Sequence, residues 1–303
     1  MADDLRAVNP RARLFRTILS VYGIGIYIFL FAPIAVMVLL SFNASSVVGF
    51  PMAGFTTDWY AKLPHDTVVL DALTRTLLVA FWVTVLSTLI GTTAAFPLVR
   101  ANIKNRGGMR VFITLPIMMP GLLIGVAILV LASNVLHIQP SLKVAIIGQT
   151  VLATPFVILV VSSRLEALDR NFERAAADLG ASPLQRLLFV VLPLVYPGII
   201  AGALIAATLS LDEFVVTNFI IGADQTLPIY IYNQLKFGIT PEINALATMM
   251  LLGTLAVVGV TFGALRLVKV LAAVTKKNTR VEEVEEVEET IANALVLPRA
   301  RDV

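Results

Sequence analysis

Residues 144–198 read VAIIGQTVLATPFVILVVSSRLEALDRNFERAAADLGASPLQRLLFVVLPLVYPG, and three regimes succeed one another within them. From Val144 to Ser163 there is no Asp, Glu, Lys or Arg; from Arg164 to Arg186 charges crowd together; at Leu187 a second charge-free run opens and continues to Leu211. A helix rising 1.5 Å per residue needs about 20 such residues to cross roughly 30 Å of hydrocarbon. The stretch therefore reads as two membrane-spanning helices joined by a charged loop. Strands are excluded from isolated runs of this kind, because each unpaired backbone group in lipid costs several kcal/mol.

Working outward, Thr17–Thr57, Thr76–Val99, Val111–Leu142 and Ile243–Leu265 are also free of those four residue types, which makes six stretches. The expectation is an all-α membrane protein with six transmembrane helices. An arm over 1–17 precedes a first span at 18–42 and an extracytoplasmic loop at 43–75. A core over 72–268 then holds spans at 76–99, 111–135, 143–163, 194–217 and 243–265, with a cytoplasmic loop at 164–192 and an acidic tail at 269–303. Composition agrees: 58% of residues are hydrophobic and only 14% charged, outside the range of a soluble domain. There is no cysteine, which removes disulfides, thiolate catalysis and cysteine-based zinc sites. The first span is longer than a signal core of ~7 to 15 residues and lacks a small-residue cleavage site, so it is expected to stay as an anchor.

Flanking charge sets direction, since Lys and Arg concentrate on the cytoplasmic side. Nineteen lie before span one, between spans two and three, between spans four and five, or after span six; Lys62, Arg75, Lys143 and Lys236 alone fall on the other face. Both termini are therefore expected in the cytoplasm. Because the basic residues punctuate apolar blocks, topology explains the positive charge and nucleic acid is not expected as a partner. Pro33, Pro97, Pro116, Pro120, Pro155 and Pro197 fall in or beside the spans; they read as packing kinks, and no single one is assigned a function.

The loop at 164–192 is more than a connector. Leu165, Leu168, Phe172, Ala176 and Leu179 recur at helical spacing, with Glu166, Asp169, Arg170, Glu173 and Asp178 mostly off that face. Gly180 occupies the position that ends a helix, Ser182 can cap the next, and Pro183 fits its first turn, so two short helices at a fixed angle are expected. Periodicity alone fits either a knob gripped by a soluble partner or an amphipathic helix resting on lipid.

The run Ala175-Ala176-Ala177-Asp178-Leu179-Gly180, nine further residues, and then Val190-x-Leu192-Pro193 resemble the EAA coupling loop of type I ABC importer permeases. In that family the loop docks on a nucleotide-binding subunit. The resemblance implies that Phe172, Glu173, Arg174, Ala176, Asp178, Leu179, Gly180 and Pro193 couple the chain to the ATPase. The family glutamate falls on Arg174 here, with Glu173 one place earlier. SFNASSVVGFPMAGFTTDWYAKL (41–63), SLDEFVVTNFIIG (210–222) and TLPIYIYNQLKFGITPEINALATMMLL (226–252) resemble the spermidine/putrescine branch of the family. The same resemblance implies a multi-pass protein of the bacterial inner membrane. Its partners would be two copies of an ABC ATPase subunit, a second homologous permease and an extracytoplasmic substrate-binding protein, in contact with membrane lipid. No cofactor or metal is expected on this chain, with ATP and Mg held by the partner subunit. Consistently, no G-x-x-x-x-G-K-[ST] run is present to cradle ATP phosphates.

For a permease the chemistry is selective passage, so polar groups at membrane depth are the candidates. Asp212 lies 14 residues beyond Gly198, about 21 Å along a helix, and the apolar run resumes from Phe214 to Ile221 after Glu213. Two adjacent acids suit a polycation, replacing part of the hydration of its ammonium groups. The alternative is that the helix ends near Leu211 and both acids are solvated loop residues. Asn218, Tyr230, Asn244 and Trp82 are further candidates for the pathway, with aromatic rings able to hold ammonium at ~0.5 to 2 kcal/mol. Trp59 and Tyr60 read as interface anchors or as part of a platform for the binding protein. The tail VEEVEEVEET reads as a solvated segment.

No catalytic residue is expected. His65 and His137 sit at span ends or in loops, with no ligand cluster or nucleophile elbow beside them, which disfavours an intramembrane enzyme. A secondary transporter stays open as a rival, although it would not require the coupling loop. Within the importer class, an opine, aminobutyrate, aminoethylphosphonate or ferric ion remain alternative cargoes.

Overall fold

The computed structural model describes residues 10–101, 103–261, 263 and 266. The acidic tail at 269–303 and the first nine residues of the N-terminal arm lie outside the described residues. Twelve helices can be named among them: α1 (Pro10–Leu40), α2 (Asp58–Lys62), α3 (Thr67–Arg100), α4 (Arg106–Met118), α5 (Gly121–Val130), α6 (Leu142–Glu166), α7 (Asn171–Asp178), α8 (Pro183–Arg186), α9 (Leu192–Asp212), α10 (Val215–Ile220), α11 (Leu227–Leu235) and α12 (Pro241–Thr261). Five uninterrupted helical stretches are long and apolar enough to cross a membrane, and α4 with α5 forms a bent pair that makes six if it counts as one span.

Helices α3, α6 and α9 form the centre. Val79, Val83 and Leu98 from α3, Val157, Val161 and Leu165 from α6, and Val195 and Ala206 from α9 are buried against one another. In lipid such packing is driven by close approach, which small residues permit. A methyl group on Gly91 would lie 2.7 Å from Val157 Cβ, and one on Gly202 would lie 3.1 Å from Val157 Cγ1. Val157 is thus held between glycines of two neighbouring helices. A second cluster seats α10 between α5 and α6 through Ile124, Val144, Ala145, Val216 and Ile220. A third joins the start of α3 to α11 and α12 through Val69, Ala72, Leu227, Ala245 and Leu246. Helix α1 stands apart, with only 6% of its apolar window buried.

Four sequence expectations need correction. The stretch 111–135 is not one helix: α4 and α5 are bent by 97° at Met119–Pro120, where Pro120 takes the extended backbone that ends one helix and precedes the next. The stretch 194–217 is not one helix either. It starts earlier, at Pro183, ends at Asp212, and resumes as α10 after an extended Glu213. The apolar periodicity from Leu165 to Leu179 spans two helices separated by a turn at 167–170, with Leu165 in the core and Phe172 and Leu179 outside it.

The second short helix of the charged loop is likewise no separate rod. From α8 the chain passes through a π-helical segment, Leu187–Val191, directly into α9. Pro193 supplies a reason, because its ring cannot follow the carbonyl four residues back in a tight α-turn.

The loop before α2 is organised by Asn43, whose side-chain oxygen accepts the Ser45 and Ala53 N–H groups at 3.2 Å each. Trp59 Nε1 donates to the Asn43 carbonyl at 2.8 Å, and the Tyr60 hydroxyl meets Ser41 Oγ at 2.5 Å. Both aromatics therefore tie the loop to the end of α1.

Candidate functional site

Two regions carry the residues singled out in the sequence. At the basic end of the bundle, α7 stops in a glycine turn. The Gly180 N–H donates to the Ala177 carbonyl at 2.9 Å and the Ala181 N–H to the Ala176 carbonyl at 3.0 Å. This pairing places Gly180 at φ +83°, in the left-handed region that glycine enters without strain. Ser182 Oγ accepts the Gln185 N–H while Gln185 Oε1 accepts the Ser182 N–H, which fixes the start of α8 one residue later. The elbow is stiff on both sides.

What α7 shows to its surroundings differs from its amphipathic pattern. The helix buries no residue completely; Phe172 is 56% exposed and Leu179, at the turn, 88%. Arg174 and Asp178 are exposed and Ala176 is half-buried. Glu173 turns inward instead and pairs with Arg100, the last residue of α3, at 2.7 Å. Arg170 Nη2 donates to the Val99 carbonyl at 3.2 Å, and Arg106 Nη2 to the same oxygen at 2.7 Å. Arg110 and Glu166 form a further ion pair between α4 and α6. Pro193 lies exposed at the second position of α9.

The second region is a cavity of about 210 Å³ where the α4–α5 bend faces α6 and the end of α9. Pro116, Ile117, Met119 and Gly121 line it from the α4–α5 bend, Gln149, Leu152, Ala153 and Phe156 from α6, and Leu209, Ser210 and Glu213 from the end of α9. Irregular backbone at membrane depth is tolerated where it lines a cavity or is covered by protein, and here both breaks meet that condition. Gln149, 2% exposed, donates through Nε2 to Thr217 Oγ1 at 2.6 Å, and its Oε1 accepts from Ser210 Oγ. One carboxylate oxygen of Glu213 accepts the Val216 N–H at 2.7 Å, so the side chain also serves the first turn of α10.

Of the pathway candidates, Glu213 lines this cavity and Asp212, the exposed last residue of α9, does not. Asn218 is exposed on α10. Trp82 is exposed on α3, edge-on to Phe81 with centroids 5.5 Å apart. Tyr230 lines a separate depression with Asp66, Gln234 and Glu242, and its hydroxyl accepts from Gln234 Nε2 at 3.1 Å. Asn244 is buried in α12. Sequence reasoning missed Gln149, Ser210 and Thr217, and it passed over Pro116 and Pro120. An amide inside the charge-free run of α6 was the available signal.

Residues 87–277 match the model of a family described as binding-protein-dependent transport system inner membrane component. The chain is 37% identical over 240 residues to the putrescine transport system permease protein PotI of Escherichia coli (strain K12), covering 77% of this chain and 85% of that protein. It is 36% identical over 235 residues to the spermidine/putrescine transport system permease protein PotC of the same strain, covering 77% and 88%. Among solved structures, a bacterial ABC transporter involved in the import of the acidic polysaccharide alginate aligns over 84% of this chain and 97% of its own, with TM-score 0.66 and 18% identity. The MetNI methionine ABC transporter aligns over 70% and 98%, with TM-score 0.56 and 19% identity. At such identities these likenesses establish the fold alone.

Proposed function

This chain belongs to the binding-protein-dependent transport system inner membrane components, and from that premise we propose that it is the permease subunit of an ATP-driven importer of polyamines. The single observation that carries the cargo assignment is Glu213 at the break between α9 and α10, lining a cavity with a buried amide and hydroxyl. A carboxylate in lipid costs at least about 2.5 kcal/mol, a cost that a cationic cargo offsets. The acidic groups replace water around an ammonium, and Gln149 and Ser210 supply neutral oxygens beside it. The named cargoes of the two relatives, putrescine and spermidine, support the same class.

Energy comes from outside the chain. ATP and Mg belong to an ATPase subunit that grips the elbow at α7, through the exposed Phe172, Arg174, Asp178 and Leu179 and the turn at Gly180. A second permease completes the channel and covers part of the exposed surface, and an extracytoplasmic binding protein delivers the cargo to the end carrying Trp59 and Tyr60. The basic end, with both termini, faces the cytoplasm.

The test is spermidine uptake into liposomes holding the assembled importer. Wild-type uptake is expected to require ATP in the compartment that meets the basic end. Asp212→Asn with Glu213→Gln should cut it by about tenfold or more, since a unit charge 4 Å from an ammonium is worth ~4 kcal/mol at an effective dielectric near 20. Undiminished uptake in the doubly neutral variant would remove the basis for a polyamine cargo, and uptake by this chain without an ATPase would overturn the importer reading.

A further inference from the structure

We propose that Arg100 and Glu173 form a strut that carries movement of α7 into α3, which makes Glu173 a positioning residue inside the permease and not a contact of the ATPase. The proposal rests on the coupling reading above and answers how displacement of the elbow reaches the bundle.

Helix α7 has no fully buried residue, and its Phe172 is turned outward, so apolar packing gives it little grip on the membrane helices. Two links are covalent, back through the turn at 167–170 to α6 and on through the Gly180 turn into α8 and α9, and neither reaches α3. The third is polar. Glu173 meets Arg100 at 2.7 Å, with both side chains half-buried, and Arg170 from the segment just before α7 donates to the Val99 carbonyl. Arg106, at the start of α4, donates to that same carbonyl, so the end of α3, the start of α4 and the approach to α7 share one knot. An arginine is also well placed there by the negative end of the α3 dipole.

Helices α3 and α9 are packed together through the central cluster. Helix α6 packs on both, so a push delivered through the chain to α6 and α9 alone would leave α3 to follow by packing, whereas a polar link to its end moves all three as a body. A half-buried ion pair suits the task because neither charge can be left without the other. The next residue, Arg174, is exposed, so the two neighbours serve different sides of α7: Glu173 toward the bundle, Arg174 toward a partner.

The test uses the assembled importer with its binding protein in liposomes, measuring ATP hydrolysis and spermidine uptake on one sample. Arg100→Gln and Glu173→Gln are each expected to keep the ATPase bound while lowering spermidine moved per ATP by about tenfold, the usual scale of a coupling free energy. The exchange Arg100→Glu with Glu173→Arg should recover most of the loss, which two independent structural defects would not do. Since the chain has no cysteine, Arg100→Cys with Glu173→Cys, joined by a short bis-methanethiosulfonate, should recover coupling that reduction abolishes.

Release of the ATPase by Glu173→Gln but not by Arg100→Gln would make Glu173 a docking contact and overturn the strut. So would normal transport in both single variants, or failure of both the exchange and the cross-link to restore coupling. If no ATPase associates with the wild-type chain, the coupling reading itself falls, and the strut with it, before any substitution is made.

Discussion

The carboxylate of Glu213 serves the backbone as well as the cavity, and the two roles separate under substitution. Glu213→Gln keeps an oxygen for the Val216 N–H but removes the charge; Glu213→Ala removes both. If the charge meets the cargo, the Gln variant loses spermidine uptake while its unfolding temperature in detergent stays at the wild-type value. The Ala variant should lose uptake and also about 1 kcal/mol of stability, the typical worth of a helix cap. Full uptake in the Gln variant with loss only in the Ala variant would reduce Glu213 to a cap. Glu213 was legible because a charge inside an apolar run is conspicuous. Gln149 was not, because an amide leaves a charge-free run unbroken, although burying it unpaired would still cost about 1 to 3 kcal/mol. Which of the two adjacent acids lines the cavity depended on the extended backbone at Glu213, and no periodicity reports a break of that kind.

At the scale of elements, turn chemistry proved the most readable feature and span continuity the least. Gly180, Ser182 and Pro183 each act on backbone within three residues of themselves, so their identities are enough to place the elbow. The breaks at Met119–Pro120 and at Glu213 occur inside apolar runs, where hydropathy is blind to whether a helix continues. Pro116 and Pro120 were visible but ambiguous, since lipid helices often absorb proline without breaking. The elbow permits a graded test, because a methyl group on Gly180 meets nothing within 4 Å and the cost of substitution is backbone strain alone. Left-handed backbone costs most side chains about 1 to 2 kcal/mol, while Asn enters it more readily. ATPase retained on affinity purification is therefore expected to fall in the order Gly180, Gly180→Asn, Gly180→Ala, Gly180→Val. Equal retention across the series would mean that the turn does not present α7 to a partner.

Across the whole molecule, four of the arginines that set topology also bind the bundle at one end. Arg100, Arg106, Arg110 and Arg170 take part in an ion pair or in a hydrogen bond to the end of α3. Charge bias and structural knot thus occupy the same side, and a chain inserted in reverse would carry that knot, with the α7 elbow, to the face that has no ATP. Alkaline phosphatase gives a direct readout, because it needs disulfides that form only in an oxidising compartment. Fusions ending after Phe50 and after Phe237, both in exposed loops at the far end, should be active. Fusions ending after Asn105 and after Gly180, at the basic end, should be inactive, with all four accumulating to similar levels. Activity after Gly180 would place the elbow outside the cell, beyond the reach of any nucleotide-driven subunit, and an ATP-driven import cycle could not then be transmitted through it.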